Sequence, residues 1–399
     1  MQPLIRRQQP PLWLLVLITI SGTLAMHMFV PALPSAARDF GVSMASMQTT
    51  ISVYIGGLAI GQLIYGPLSD GVGRRPMLLA GLSLYMIGGL AAAFAFSLHT
   101  LIAARLVQAL GGCAGLALGR AIVRDGTAGD DALKKLALMN LMMMVGPGLA
   151  PSLGAALAST LGWRSIFLLL ATVGAFTLVF TWRLLPETGR PTGEINASAL
   201  LFDYVRLLRS PAFVGFSLGG GLATTSIYAF IAAAPFIIAG QLHRPSHEVG
   251  LYLGLLIVGM SLGNALTSRL IKVVTIERLL LAGNAISVVS AISFLVVALA
   301  SDLSIASAIT LMTFYCLGAG IASPAALTKA ISVNPALVGS AAGLYGFTQM
   351  AVGALCTTLV GIGENPSLSA AVVLATAASL GQGAFWIALV RRRAVTVSF

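Results

Sequence analysis

Charge is the scarcest commodity in this sequence. Asp, Glu, Lys and Arg together make up 9% of its 399 residues, where a soluble globular chain carries about 25%. That excludes a water-soluble enzyme, a disordered chain and a nucleic-acid-binding domain. Acids are the rarer sign, with 12 Asp and Glu against 23 Lys and Arg. All twelve fall in expected loops or at helix ends, so no carboxylate is expected at membrane depth. Cysteine is limited to Cys113, Cys316 and Cys356, far apart in apolar runs. This is neither a disulfide framework nor a zinc spacing, and the three read as core-filling thiols. His243 and His247 flank Pro245, which denies them one helical face, and no third ligand is near, so no metal site is expected. No Gly-x-x-x-x-Gly-Lys-Ser/Thr loop is present, which argues against ATP drive. No cofactor is expected.

What is abundant is apolar. Hydrophobic residues make up 57% of the chain. A membrane-spanning helix needs about 20 of them in a row. Twelve such runs lie near 12–37, 47–68, 77–97, 99–121, 133–160, 163–184, 211–240, 247–270, 277–300, 303–328, 335–362 and 367–390. The first follows Arg6 and Arg7 and resembles a signal peptide. It continues to Val30 and ends in Pro31 and Pro34 without a small-residue cleavage site, so it reads as a retained first span. The one long polar stretch, 185–210, sits at the midpoint. The expected fold is therefore an all-α polytopic membrane protein of twelve helices in two six-helix bundles. Residues 1–184 form the first bundle, 185–210 a cytoplasmic linker and 211–399 the second.

The net charge of +11 has a topological cause. With the N-terminus in the cytoplasm, 19 Lys and Arg fall on the cytoplasmic side. Only Arg38, Arg164 and Arg244 fall outside, and Arg105 lies within a helix. That is the positive-inside bias of a multi-pass protein with both termini cytoplasmic. The expected partner is a lipid bilayer and not nucleic acid. Tyr54-Ile-Gly56 with Gly61 recurs as Tyr252-Leu-Gly254 with Gly259, a faint echo between halves. Repeated halves are a common transporter plan, with the substrate between them near the midplane. The 44 glycines cluster at small-xxx-small spacing, as in Gly57/Gly61, Gly111/Gly115/Gly119, Gly215/Gly219, Gly259/Gly263 and Gly339/Gly343. These suit close helix packing, static or sliding.

Several constellations carry more. Asp70 can pair with Arg74, with Arg75 beside it, in the loop Gly66-Pro67-Leu68-Ser69-Asp70-Gly71-Val72-Gly73-Arg74-Arg75-Pro76. The cluster is a cytoplasmic latch or a topogenic signal. Arg105, Gln108, Gly112, Gly115 and Gly119 share one helical stripe. An arginine at depth costs about 2.5–3.5 kcal/mol on insertion scales, so it faces a wet cavity or a partner, or snorkels to the surface. Pro147 and Pro151, within Gly146 to Gly154, lie one turn apart and bend their helix. Thr19, Thr23 and His27 repeat at i+4 along the first helix. Histidine titrates near pH 6.5, so His27 is a candidate coupling group, or a neutral hydrogen-bonding one. Tyr54, Ile227, Tyr228, Phe230, Tyr345 and Gln349 suit either an amphipathic pocket or plain packing. Asn264 and Asn284 fall in helices without an evident role.

The Gly66–Pro76 loop resembles the signature loop of the major facilitator superfamily, except that Gly71 stands where the family usually has arginine. The Arg105 stripe resembles the family's helix 4 motif, whose arginine takes part in proton or substrate coupling. Gly146, Pro147, Pro151 and Gly154 resemble its antiporter motif, which implies export. Further stretches are similar to the bicyclomycin and chloramphenicol resistance (Bcr/CflA) exporters. They are His27 to Pro34, Arg120 to Asp125, Gly162-Trp163-Arg164 to Phe167, Ala234-Pro235-Phe236, and Asn334-Pro335 through Gln349. The resemblance spans essentially the whole chain. It implies a drug:proton antiporter in a bacterial inner membrane. His27 stands where these exporters usually carry a helix 1 aspartate. Proton coupling is then expected from His27 and Arg105. Substrate contacts are expected from Thr23, His27, Tyr54, Arg105, Gln108, Ile227, Tyr228, Phe230, Tyr345 and Gln349. Without an embedded acid, the expected cargo is neutral or anionic amphiphiles, phenicol-type antibiotics first. A metabolite carrier or an uncoupled facilitator of the same fold is the alternative. A membrane enzyme would need an acid–base or nucleophile cluster at depth, which is missing. Nothing requires an oligomer, and a monomer is expected.

Overall fold

A computed structural model describes residues 10–126, 149–189, 193, 197–245, 248–271, 273–334 and 337–397. Helix α1 (Leu12–Phe29) passes through a tight turn at Val30–Ala32 into α2 (Leu33–Phe40). Pro31 and Pro34 are the second residues of these last two segments, in the first turn where an N–H has no helical partner to lose. Gly41 then ends α2 with φ 63°, the left-handed stop that glycine adopts without strain. Helix α3 (Met44–Val72) starts on Ser43, whose hydroxyl accepts from the Ser46 N–H. There follow α4 (Arg74–Ala93), α5 (Leu98–Gly126), α6 (149–160) and α7 (Arg164–Leu184).

The polar midpoint is not all loop. It contains α8 (Ala197–Leu208), a two-faced helix that buries Leu207 and exposes Leu201, Phe202 and Val205. The expected seventh span is also interrupted. It runs as α9 (Pro211–Thr224), a three-residue break, α10 (Tyr228–Pro235) and a wide helical turn at Phe236–Gln241. Pro235 has no N–H to give, and the chain widens after it. The remaining helices are α11 (Glu248–Leu270), α12 (Ile276–Leu299), α13 (Ile305–Ile331), α14 (Val338–Ile362) and α15 (Pro366–Val397). Among the described residues, eleven helical segments are long and apolar enough to cross a membrane. The fold is all-helical and polytopic, as expected.

The packing is organised around two central helices. α5 touches α1, α3 and α4, while α13 touches α9, α11 and α12. Between these clusters α3 lies against α14. Close approach depends on glycine at a few points. A Cβ on Gly115 of α5 would lie 1.8 Å from the Ile18 carbonyl oxygen of α1, and one on Gly263 of α11 2.2 Å from the Leu317 carbonyl oxygen of α13. The outward faces carry Phe176, Val258, Leu262 and Trp386, all exposed. Such a surface is stable in hydrocarbon and not in water.

Candidate functional site

The polar side chains that the apolar helices carry inward gather in four places. The first surrounds Arg105, which is completely buried. Its Nη1 donates to the Ala25 carbonyl of α1 (3.1 Å) and to Gln108 Oε1 (2.7 Å) one turn along α5. The Tyr54 ring lies 3.8 Å from the guanidinium carbon, and Phe29 and Phe167 lie at 5.6 Å. Aromatic faces attract a desolvated cation. Tyr54 in turn donates its hydroxyl to the Gly22 carbonyl (2.7 Å). Arg105 therefore does not snorkel; it ties α1, α3, α5 and α7 together. Tyr54, Arg105 and Gln108 are brought into one cluster, inside the first group of helices.

The second place is the seam between the two groups. His27 is buried there, its ring 6.2 Å edge-on from that of Tyr228 on α10. Its Nδ1 lies 2.8 Å from the Thr23 carbonyl. A carbonyl only accepts, so Nδ1 carries a proton and Nε2 is the nitrogen left to exchange one. The Thr23 hydroxyl bonds its own helix at Ile20 and not the imidazole. Ser52 of α3 and Thr357 of α14 share a hydrogen bond (2.9 Å), and Gln48 donates to the Ala232 carbonyl (3.3 Å). Gln62 lies against Gly346, where a Cβ would meet its Oε1. Seam residues Gln48, Ser52 and Thr357 were not expected from the pattern. Single polar residues in an apolar helix give no sign of which face they take.

The third place lies in the second group. Gln349 Nε2 donates to Thr224 Oγ1 (2.8 Å) and to Tyr345 Oη (3.4 Å). Thr225 Oγ1 donates to the Gln349 carbonyl (2.6 Å), clasping the break after α9 against α14. Ser226 and Tyr315 hydroxyls pair at 2.6 Å. Tyr345 and Gln349 are thus together, as their i+4 spacing suggested. Ile227 is buried within the break, and Phe230 packs edge-on against Phe294 at 5.8 Å. These two lie in the interior of the second group. Asn284 is held by the Ala378 carbonyl and Gln382.

The fourth place is the loop at one end of the molecule. Arg74 Nη2 pairs with Asp70 Oδ1 at 2.8 Å, and its Nη1 bonds Ser69 Oγ. Glu187, just past α7, accepts the backbone N–H groups of Arg74 (2.9 Å) and Arg75 (3.1 Å). It is an anion seated on the N-terminus of α4. Arg75 reaches the Trp182 carbonyl at 2.6 Å. Asp70, Arg74 and Arg75 are together as expected, and Glu187 is the member missed. Nearby, α8 touches the seam: Tyr204 donates to the Leu63 carbonyl (3.4 Å), and Ser340 to Asp203 (3.4 Å). Burial pushes the Tyr204 phenol up, and neighbouring Asp203 pushes it further.

At the opposite end, Asp39 accepts from Arg164 (2.9 Å) and from Trp163 Nε1 (2.8 Å). A cleft of about 530 Å³ is lined there by Pro34, Arg38 and Met44 from α2 and α3, and by Pro235, His243 and Arg244 from beyond the seam. Arg244 pairs with Glu248 at 3.0 Å. Of the proline-rich stretch, Pro151 and Gly154 lie in α6. A Cβ on Gly154 would sit 1.9 Å from the Met28 carbonyl oxygen of α1, and Gly250 of α11 abuts Ser152. α6 thus touches both groups. Gly146 and Pro147 lie outside the described residues, as does His247. Among the described residues no group of His, Cys, Asp and Glu could hold a metal.

Comparison with known proteins agrees with this architecture. The chain is 28% identical to "Multidrug transporter MdfA" of Yersinia pestis, over 85% of this chain and 83% of that protein. It is 26% identical to "Bicyclomycin resistance protein homolog" of Haemophilus influenzae, over 84% of each. Among solved structures, a bacterial homologue of the human lysosomal transporter Spinster, inward-facing and occupied, superimposes with a TM-score of 0.72. The match has 15% identity and covers 94% of this chain and 96% of that one. The family model described as Major Facilitator Superfamily matches residues 15–357. The chain is a multi-pass membrane protein that belongs to the Major Facilitator Superfamily, a family of secondary transporters of small molecules and not of enzymes.

Proposed function

We propose that this transporter is a proton-coupled exporter of small neutral or anionic amphiphiles, with phenicol-type antibiotics as the first candidates. It works in a bacterial inner membrane with both termini in the cytoplasm, as a monomer. Residues 1–184 and 211–399 rock about the seam as two bundles joined by the linker 185–210, opening a central site to one side at a time. The observation that carries the reading is the placement of His27. It is a titratable group on the seam itself, facing Tyr228 of the other bundle, in a chain whose described spans bury no carboxylate. Its Nε2 loads and releases the proton as the seam opens. One charge moved through 100 mV is worth about 2.3 kcal/mol, enough to drive roughly 50-fold accumulation. Thr23 and Tyr228 line the site with His27. Tyr345 and Gln349 approach it through Thr224 and the break after α9, where Ile227 and Phe230 set the wall.

Arg105 contributes to coupling from behind. Its bond to the Ala25 carbonyl holds α1 two residues from His27, with Tyr54 and Gln108 fixing the guanidinium. Asp70, Arg74 and Arg75 form the cytoplasmic gate. Pro151 and Gly154 shape the helix that touches both bundles; Gly146 and Pro147 precede them in sequence as the rest of the expected antiporter motif. The names of the multidrug and bicyclomycin relatives support export of drugs. The test is transport of a neutral phenicol into proteoliposomes under an imposed pH gradient, for wild type and His27→Ala. Gradient-driven transport is expected in wild type. In the variant only downhill exchange should survive. Gradient-driven transport in the variant would remove His27 from the coupling role. Wild-type transport indifferent to pH would make the protein a facilitator, and inhibition by a metabolite instead of drugs would make it a metabolite carrier.

A further inference from the structure

The Arg105 cluster has too many donors. Four buried atoms in it have no hydrogen-bond partner: Arg105 Nε and Nη2, Gln108 Nε2 and Tyr85 Oη. Arg105, Gln108 and Tyr85 are all fully buried, and the Tyr85 phenol lies within electrostatic reach of Arg105 and Tyr54. The orientation of Gln108 is not arbitrary. Only its oxygen can face Arg105 Nη1 at 2.7 Å, so its amide nitrogen must turn away. That nitrogen lies over Gly89, where a Cβ would come within 3.1 Å of it. The aromatic faces of Tyr54, Phe29 and Phe167 soften the burial of the cation. Among the described residues no carboxylate meets it. A buried charge without a counter-charge is costly by several kcal/mol, and each orphaned donor adds to that cost.

We propose that Arg105, Gln108 and Tyr85 form a binding site for one small monovalent anion of the halide class, inside the first bundle and apart from the transport seam. Three features select a halide. Three of the four unfilled atoms can only donate, and only the Tyr85 hydroxyl can also accept, whereas a water molecule must place both of its hydrogens on acceptors. The guanidinium holds its charge at any physiological pH, so the occupant must carry charge to cancel it. The side chains are wholly enclosed by α1, α3, α4, α5 and α7, which excludes a carboxylate on a drug-sized molecule. The anion is a fixed counter-ion that lets a chain poor in acids keep an arginine at depth, and it stands whatever the seam transports.

The experiment is thermal unfolding of the purified full chain in detergent, titrating sodium chloride against sodium gluconate at constant ionic strength. Crystals grown in bromide supply anomalous scattering for direct placement. Chloride is expected to stabilise saturably, with a bromide peak beside Arg105. Tyr85→Phe removes one hydroxyl and is expected to weaken chloride about tenfold, in line with a hydrogen bond to a charged partner. Gln108→Leu, which keeps the volume, is expected to weaken it at least as much. Equal stability in chloride and gluconate would overturn the proposal. So would a chloride effect unchanged in both variants, or a cluster filled by water with no bromide peak.

Discussion

The fourth long helix of each half is its centre, and the two centres solve burial differently. α5 carries a charge, Arg105, into a ring of aromatics and leaves donors over. α13 carries Tyr315, whose hydroxyl is matched by Ser226 and whose carbonyl accepts from Ser287. The second centre is neutral and its tyrosine satisfied; the first is charged and under-satisfied. A buried charge is weak evidence for stability. The first half therefore carries a burial cost that the second half does not, and the second half is the plainer scaffold.

Substitutions can break this contrast. The largest effect is expected from Arg105→Ala, which leaves a cavity among Phe29, Tyr54 and Phe167 and should cost about 2–5 kcal/mol in reversible unfolding. Arg105→Met refills most of that volume without charge. It is expected to restore nearly all the stability while gradient-driven transport stays lost, separating charge from packing. Next is Gly115→Ala. Its new methyl carbon would lie 1.8 Å from the Ile18 carbonyl oxygen, well inside contact distance, and overpacking of this kind costs about 1–3 kcal/mol. Tyr315→Phe deletes one neutral hydrogen bond in the second centre and should cost about 1 kcal/mol, with transport retained. The smallest effect is expected from Gly339→Ala, where nothing lies within 4 Å. A melting temperature within experimental error of wild type would confirm that Gly339, unlike Gly259 and Gly263, is not a packing contact.

Spans and their order were legible because bilayer thickness forces long apolar runs. The Asp70–Arg74 pair was legible because one helical turn brings both charges to the same place. Tyr345 with Gln349 followed the same logic. What escaped depends on contacts distant in sequence. Glu187 reads as a linker acid, and its role exists only because α4 begins beside it. α8 hid in a polar stretch because its apolar stripe is short. The break at Thr225–Ile227 contains neither proline nor glycine; Thr225 stabilises it by reaching α14. Periodicity also gave no sign that Arg105 would meet the Ala25 carbonyl of α1 while His27 meets Tyr228 of α10.

The zero clearance between Gly115 and Ile18 has a mechanical consequence. α1 and α5 meet backbone to backbone, and Gly22 against Gly112 repeats the contact one level along. Neither helix can roll or slide on the other without collision. They form one lever arm, with the guanidinium as its rivet. On the proposed coupling role of His27, displacement begun at the imidazole would not be absorbed within that arm but passed to the seam, where side-chain hydrogen bonds join α3 to its neighbours.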